Sequence, residues 1–180
     1  MKKLVVVLFV AGCTLGSKRD HIGQEQPKAP EPLTPEHVRN ASRIVVVSTS
    51  GSLGHNHTDR YVFQAKGKCT LESFSWCNWG PQSTLCDEAS KKTYELPSET
   101  FQEVQKILLE TKYLSIEDLP GFDFEGGSSI SVECAGRCHY LPIHGYPFGE
   151  YPPDLQRMSS FLGSLESRRK EIPSTLANEK

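Results

Sequence analysis

Two cysteines and two histidines lie close together in the last third of the chain. Cys134 and Cys138 are separated by three residues, and His139 and His144 follow. A catalytic dithiol of the thioredoxin type has two intervening residues at a helix start, where the dipole lowers the thiol pKa, so this spacing disfavours redox catalysis. Thiolate and imidazole ligands would suit copper or zinc. However, histidines five residues apart point to opposite faces of a regular strand.

A structural disulfide is the third interpretation of the Cys134 and Cys138 pair, and the one we favour. With residues 135–137 as a hairpin turn, the two cysteines would face each other, with Cβ atoms about 4.5–5.5 Å apart. A modest local twist would bring them to bridging distance. We also predict that Cys77 pairs with Cys86, and that Cys69 stays buried as a small apolar group.

A second set of potential metal ligands consists of His55, His57 and Asp59. Imidazoles that recur along an extended segment could bind a metal, but a tight site needs further ligands from elsewhere. We therefore favour an exposed polar loop between Gly54 and Thr58. We predict no metal and no cofactor. The residues that would supply a metal site, as the minority interpretation, are His55, His57, Cys134, Cys138 and His139.

The two tryptophans, Trp76 and Trp79, lie three residues apart beside Cys77 and Pro81. They could form an exposed platform for a glycan or a partner protein, because tryptophan is enriched in binding hot spots. The alternative, which we prefer, is that one or both fill the edge of a sheet.

The amino-terminal residues indicate chemistry of a different kind. Met1-Lys2-Lys3 is a short basic region, and the apolar run over residues 4–10 is far shorter than the roughly 18 residues that a membrane-spanning helix needs. The run ends in Val10-Ala11-Gly12-Cys13. An aliphatic residue, two small residues and a cysteine in this order resemble the lipobox of bacterial lipoproteins.

The resemblance implies lipid attachment. In that family the cysteine sulfur takes a diacylglyceryl group and the chain is cut just before it, here between Gly12 and Cys13. Two acyl chains anchor a protein stably, whereas one binds only marginally. We therefore predict a signal peptide over residues 1–12 and a lipid on Cys13 that attaches the protein to the bacterial cell envelope. Because Thr14 follows, rather than aspartate, a Gram-negative cell would carry it on the outer membrane. The alternative is an ordinary secretory signal with an incidental cysteine.

The residues after the cysteine have the composition of a linker. Residues 13–42 contain four prolines among polar residues and show no apolar periodicity. Such a stretch buries too little apolar surface to fold, and its proline-rich half should be extended. We predict a flexible tether over residues 13–42, a single domain over residues 43–168 and a charged tail over residues 169–180.

Strand patterns occur at both ends of this domain. The β-branched run at residues 44–47 predicts a strand. Residues 61–65 and 69–74 predict a hairpin in which Gly67 supplies the positive φ of the turn. Residues 128–133 and 139–144 predict a second hairpin.

Helical patterns follow each group of strands. Ser98 has the position of an N-cap, and Phe101, Val104 and Leu108 recur at helical spacing after it. A second helix opens at Pro153 and Asp154. Its shared apolar face comprises Leu155, Met158, Leu162 and Leu165.

The order of these elements predicts an α+β fold, in which an antiparallel sheet built from two hairpins and an amino-terminal strand carries two helices on one face. The layout resembles small uncharacterised domains of bacterial envelope lipoproteins over residues 43–165. The motifs behind that resemblance are the Tyr61-Val62-Phe63 strand before the turn, the helix start at residues 96–99 and the strand at residues 139–145. It supports the architecture and implies no activity.

The net charge of the chain and its lack of familiar catalytic motifs limit the classes of function that we expect. The formal net charge of −2 becomes −4 without residues 1–12, which carry two lysines and no acid, so nucleic acid is not an expected partner. The chain has no Gly-x-Ser-x-Gly elbow, no His-Glu-x-x-His and no phosphate-binding loop. We predict a non-catalytic module that binds an envelope protein or a surface ligand. The alternative is a thiol- or metal-handling envelope protein that uses Cys134, Cys138 and a nearby histidine.

Overall fold

One antiparallel sheet organises the computed structural model, which describes residues 32–52, 55–77, 84–85, 91–116, 128–143 and 151–172. The described strands are β1 (Arg43–Ser52), β2 (His55–Gln64), β3 (Cys69–Cys77), β4 (Thr84–Leu85), β5 (Lys92–Leu96), β6 (Ser128–Cys134), β7 (Arg137–Ile143) and β8 (Lys170–Glu171). Their order across the sheet is β7-β6-β1-β2-β3-β5-β8, and β4 pairs with the end of β3.

The predicted strands and both hairpins are present. The β-branched residues 44–47 lie in β1, where Ile44 and Val46 are fully buried. The turn between β2 and β3 contains Gly67 at φ +133°, as expected. The β6–β7 hairpin joins the sheet beside β1, so that the strand from the start of the domain lies between the two hairpins.

Within the described ranges, three α-helices accompany the sheet: α1 (Pro35–Arg39), α2 (Thr100–Glu110) and α3 (Pro153–Ser164). The predicted N-cap at Ser98 is wrong by one residue: Glu99 occupies that position without a side-chain cap hydrogen bond. The helix begins at Thr100, whose hydroxyl donates to the Pro97 carbonyl at 2.6 Å. In α3 the predicted apolar face is buried, and Leu165 follows in a short 3-10 turn.

The core lies between one face of the sheet and helices α2 and α3. This arrangement confirms the α+β prediction. Residues at alternate positions of the central strands contribute to it, as a half-covered sheet requires. The largest fully buried side chains are Tyr113, Phe63, Ile44, Leu71, Leu108, Leu141, Leu155, Met158, Leu165, Val38, Val46 and Val104.

The predicted start of the domain at residue 43 is wrong. Leu33 and Val38 are buried in the core, and the Gln105 side chain donates to the Val38 carbonyl at 2.9 Å. Pro35, one of the four prolines that suggested a tether, instead occupies the first turn of α1, where its missing N–H costs nothing. Folded structure therefore begins by Pro32, within the segment predicted to be a tether.

The predicted carboxyl-terminal tail is also shorter than expected. Lys170 and Glu171 pair with β5, and the Arg169 guanidinium lies 4.2 Å from the centre of the Tyr94 ring. A cation over an aromatic face is attracted by the ring quadrupole. Residues 169–172 therefore belong to the domain, and residues 173–180 lie outside the described part of the chain.

Two glycines allow a matched test of the hairpin turn. Gly67→Ala should destabilise the protein by about 1–3 kcal/mol, because alanine does not readily adopt φ +133°. The Cβ would also come within 2.5 Å of the flexible end of Gln64. Gly163→Ala, in α3 with nothing within 4 Å of the new Cβ, should instead stabilise by up to about 1 kcal/mol. Urea denaturation of both variants measures the difference, and a neutral Gly67→Ala would contradict this account of the turn.

Candidate functional site

The helix-covered face of the sheet changes from apolar to polar along β2. Phe63 and Tyr61 are buried in the core, and Asp59 and His57 follow at alternate positions on the same face. Burial raises the pKa of the Tyr61 hydroxyl, and the negative charge of Asp59 raises it further. The polar end of this face therefore begins at the edge of the core.

On the neighbouring strand β3, the residues of this face also change from apolar to polar. Leu71 of β3 pairs with Tyr61 and is fully buried, whereas Ser73 and Ser75 pair with Asp59 and His57. The two strands thus bring a histidine, a carboxylate and two hydroxyls together. We call these four residues, His57, Asp59, Ser73 and Ser75, the polar patch.

Both ring nitrogens of His57 have partners within the polar patch. Nδ1 lies 3.2 Å from the Ser75 hydroxyl, and Nε2 lies 3.1 Å from Oδ1 of Asp59. The Ser73 hydroxyl is 3.2 Å from Nε2. The His57 side chain is 46% exposed and that of Asp59 only 16%. The ring is therefore accessible to solvent, and the carboxylate that contacts it is mostly shielded.

These partners select one tautomer of the neutral ring. An ionised carboxylate can only accept a hydrogen bond, so Nε2 carries the proton and donates to Asp59. Nδ1 then has the lone pair, and the Ser75 hydroxyl donates to it. The polar patch can therefore polarise a hydroxyl, bind a ligand through hydrogen bonds or offer an imidazole lone pair to a cation.

The prediction of a polar loop at residues 54–58 is wrong where the structure describes it, because residues 55–58 belong to β2. Hydrogen bonding to β1 on one side and β3 on the other extends the strand through polar residues. Sequence reasoning did not identify Ser73 and Ser75. Continuing the predicted hairpin outward from Gly67 would have found them, since pairing Val62 with Thr70 also pairs His57 with Ser75.

The prediction that Cys134 and Cys138 face each other is wrong. The turn contains two residues, Ala135 and Gly136, both with positive φ, at +51° and +71°. A two-residue turn of this kind suits the twist of a hairpin, and it pairs Cys134 with Arg137. Cys138 lies one position further along β7, so the two cysteines fall on opposite faces of the sheet. No disulfide joins them.

Because the two cysteines lie on opposite faces of the sheet, Cys134 and Cys138 cannot act together as a dithiol or bind one metal ion. Burial raises the pKa of the Cys134 thiol, which makes it less reactive. Cys69 is fully buried, as predicted, and its sulfur accepts a hydrogen bond from the Gln64 N–H at 3.4 Å. Among the side chains that the structure describes, no three histidine, cysteine or acidic residues converge on a metal position.

His139 lies apart from the polar patch. It pairs with Val132 on the core face, and its ring meets the Tyr113 ring edge-on, with centroids 5.4 Å apart. His139 Nε2 and the Tyr113 hydroxyl are buried without a hydrogen-bond partner among the described residues. Burial lowers the pKa of His139, although a backbone hydrogen bond with Tyr113 opposes the shift.

Several residues of the predicted sites belong to parts of the chain outside the described side chains. Cys13, Trp79, Cys86 and His144 lie outside the described residues. The backbones of His55, Trp76 and Cys77 are described, and His55 pairs with Cys77, while Trp76 pairs with Asn56. The predicted Cys77–Cys86 disulfide and the tryptophan platform stay predictions.

No protein-family model and no curated protein sequence matches this chain significantly. Inferences about function therefore depend on the residues and the geometry.

The partly buried imidazole of His139 should make stability depend on pH. Burial lowers the pKa of the ring in the folded protein, whereas the unfolded chain binds a proton near the ordinary pKa of about 6.5. The unfolded state thus binds more protons, and the free energy of unfolding should fall as the pH decreases from about 7 to 5. His139→Gln should make this decline less steep in urea denaturation at several pH values. Tyr140→Phe, at the next position of β7, is the control, and equal slopes for His139→Gln and wild type would refute the role of His139.

Proposed function

We propose that this protein is a lipid-anchored component of the bacterial cell envelope, and that its domain is a non-catalytic binding module. The observation that carries the binding role is the polar patch, a cluster of hydrogen-bonding groups on the end of a sheet face whose other end is the core. Within it Ser73 and Asp59 are largely shielded and hold the His57 ring, which is 46% exposed, so the patch offers an ordered imidazole to a partner at the surface.

The lipid anchor is supported by the amino-terminal sequence. The lipobox-like residues 10–13 place a cysteine directly after two small residues. Among the described residues no helix is long and apolar enough to cross a membrane. In this proposal the lipid on Cys13 holds the protein at the membrane surface, on the outer membrane in a Gram-negative cell.

Exposure of the polar patch favours binding over catalysis. Ser75, His57 and Asp59 are the residue types of a serine-nucleophile site. However, such a site works best where water is excluded, because electrostatic interactions are weak in a medium of high dielectric constant. His57 is 46% exposed. A partner that covers the polar patch would exclude water and pair its donors and acceptors, which is the behaviour of a recognition surface.

The ligand class follows from these groups. The patch presents hydroxyls, an imidazole and one supporting carboxylate, so it suits an envelope protein or surface ligand that itself presents polar groups.

The anchor is tested by Cys13→Ser. The variant should lose partitioning into the detergent phase and into membranes, while its thermal unfolding should stay unchanged because the described core begins at Leu33. Cys138→Ser is the matched control and should partition like wild type. If Cys13→Ser still partitions with membranes like wild type, this cysteine is not the anchor.

The binding role is tested by His57→Ala combined with Ser75→Ala. The double variant should fold like wild type and lose the covalent adducts that the wild type forms with envelope components on crosslinking in intact cells, as identified by mass spectrometry. Arg60→Ala with Glu72→Ala is the control, because it removes a 2.9 Å ion pair from the opposite face of the sheet. Identical adducts for the wild type and the His57→Ala, Ser75→Ala protein would exclude the polar patch as the binding surface.

A further inference from the structure

We propose that the polar end of the helix-covered sheet face binds an uncharged glycan chain, and that serines of β1 and β6 take part together with the polar patch. This inference rests on the binding role proposed for the polar patch and names the partner class of that site. It does not depend on the lipid anchor.

Serines of β1 extend the polar patch on one side. Ser48 pairs with Asp59, and Ser50 pairs with His57. Directly paired residues of two antiparallel strands lie on the same face, so both serines lie beside the patch. They follow the buried residues of β1 at alternate positions, as Asp59 and His57 do in β2. The change from apolar to polar residues therefore also occurs on this third strand.

Strand β6 extends the polar region further. Ser128 lies two residues before Ile130, which is buried in the core and pairs with Ser48. Alternate residues of a strand share a face, so Ser128 belongs to the same face as Ser48. We call the combined surface the hydroxyl face, which consists of Ser48, Ser50, His57, Asp59, Ser73, Ser75 and Ser128.

The hydroxyl face is long and accessible. It crosses β6, β1, β2 and β3 in that order, and these three strand-to-strand steps span about 14 Å at the usual spacing of roughly 4.8 Å. Ser50 and His57 are exposed, and Ser48, Ser75 and Ser128 are half-buried. Because serine side chains are short, an extended ligand can lie close to all four strands.

The composition of the hydroxyl face disfavours a protein as the partner. Protein interfaces are enriched in tryptophan, tyrosine, phenylalanine, methionine and arginine, and they are depleted in serine. The hydroxyl face has none of the enriched types and consists mainly of serine. A serine hydroxyl has one donor and two acceptor positions, and a sugar hydroxyl has the same. The two kinds of group can therefore form hydrogen bonds in either direction.

The charge of the hydroxyl face indicates an uncharged ligand. Asp59 is its acid, and Lys92, which pairs with Ser73, is the only cation among the described residues that pair directly with this face. Ligands that present phosphate groups are bound through several lysines and arginines. One lysine close to one carboxylate does not provide such a site.

A chain fits the hydroxyl face better than a single sugar. Each hydrogen bond to a ligand replaces one to water, so its net contribution to binding is small. A chain that crosses the face forms several of these bonds at once, and its linked units bind with a high effective concentration. The His57 ring is already held by Asp59 and Ser73, so binding orders few additional side chains.

The experiment measures co-sedimentation of the full-length protein, in detergent, with purified peptidoglycan sacculi, an insoluble envelope glycan that is cross-linked by short peptides. A soluble oligomer of N-acetylglucosamine and the free cross-linking peptide serve as competitors. We expect the protein to sediment with the sacculi, and we expect the oligomer, but not the peptide, to displace it. The N-acetylglucosamine monomer should compete much less well than the oligomer.

Two double variants test the part of the hydroxyl face outside the polar patch. Ser50→Ala with Ser128→Ala should weaken binding to the sacculi at least about 5-fold, because two hydrogen-bonding groups are lost. Thr49→Ala with Ser129→Ala is the matched control. It removes hydroxyls at the adjacent positions of the same strands, whose oxygens lie 2.6 Å apart on the opposite face, and should bind like wild type. Thermal unfolding of each variant establishes that it is folded before affinities are compared.

Several results would overturn the glycan proposal. These are no sedimentation with the sacculi, displacement by the peptide instead of the oligomer, or wild-type binding by the Ser50→Ala, Ser128→Ala protein. Equal losses in both double variants would also overturn it, because the effect would not be specific to this face. If crosslinking in cells yields protein adducts that require His57 and Ser75 while the sacculi bind nothing, the polar patch stands as a binding surface and a glycan is excluded as its partner.

Discussion

The pairing of β2 with β3 is the constraint on which the rest of the structure depends. The turn at Gly67 sets the register, and the register decides which residues face the helices. A shift of one residue would turn Phe63 and Tyr61 out of the core and carry Asp59 and His57 to the other face. The same pairing that closes the core therefore also assembles the polar patch.

Much of the fold could be predicted because the signals were local. Gly67 between two β-rich segments and the periodic apolar face of α2 each depend on a few neighbouring residues. The ends of the domain could not be predicted in this way. Leu33 and Val38 are isolated apolar residues in a proline-rich stretch, and they join the core through tertiary packing, which for Val38 includes the contact of α1 with α2. Composition averaged over residues 13–42 conceals such single contacts.

The incorrect predictions at the candidate site have a different cause. Successive positions of a strand lie on opposite faces of the sheet, so a difference of one residue in a turn changes the face on which a side chain lies. A turn of three residues would pair Cys134 with Cys138, whereas the observed turn of two residues separates them onto opposite faces. Ala135 at φ +51° makes this turn, although non-glycine residues adopt such angles uncommonly. Around His57 the polar composition favoured a loop prediction. Strand pairing on both sides extended β2 through that segment, because a central strand receives hydrogen bonds from two neighbours irrespective of its side chains.

The position of Asp59 links the core to the surface. Its carboxylate is mostly shielded from solvent, close enough to Tyr61 to affect the pKa of the buried hydroxyl, and bonded to the exposed His57 ring. A shielded carboxylate needs a donor, and the Nε2–H of His57 is that donor. Because Nε2–H donates to Asp59, the lone pair of His57 lies on Nδ1 and is directed at Ser75 of β3. The hydrogen bond between His57 and Asp59 thus has two effects. It gives the partly buried carboxylate a donor, and it orients the imidazole so that Nδ1 can accept a hydrogen bond or bind a cation.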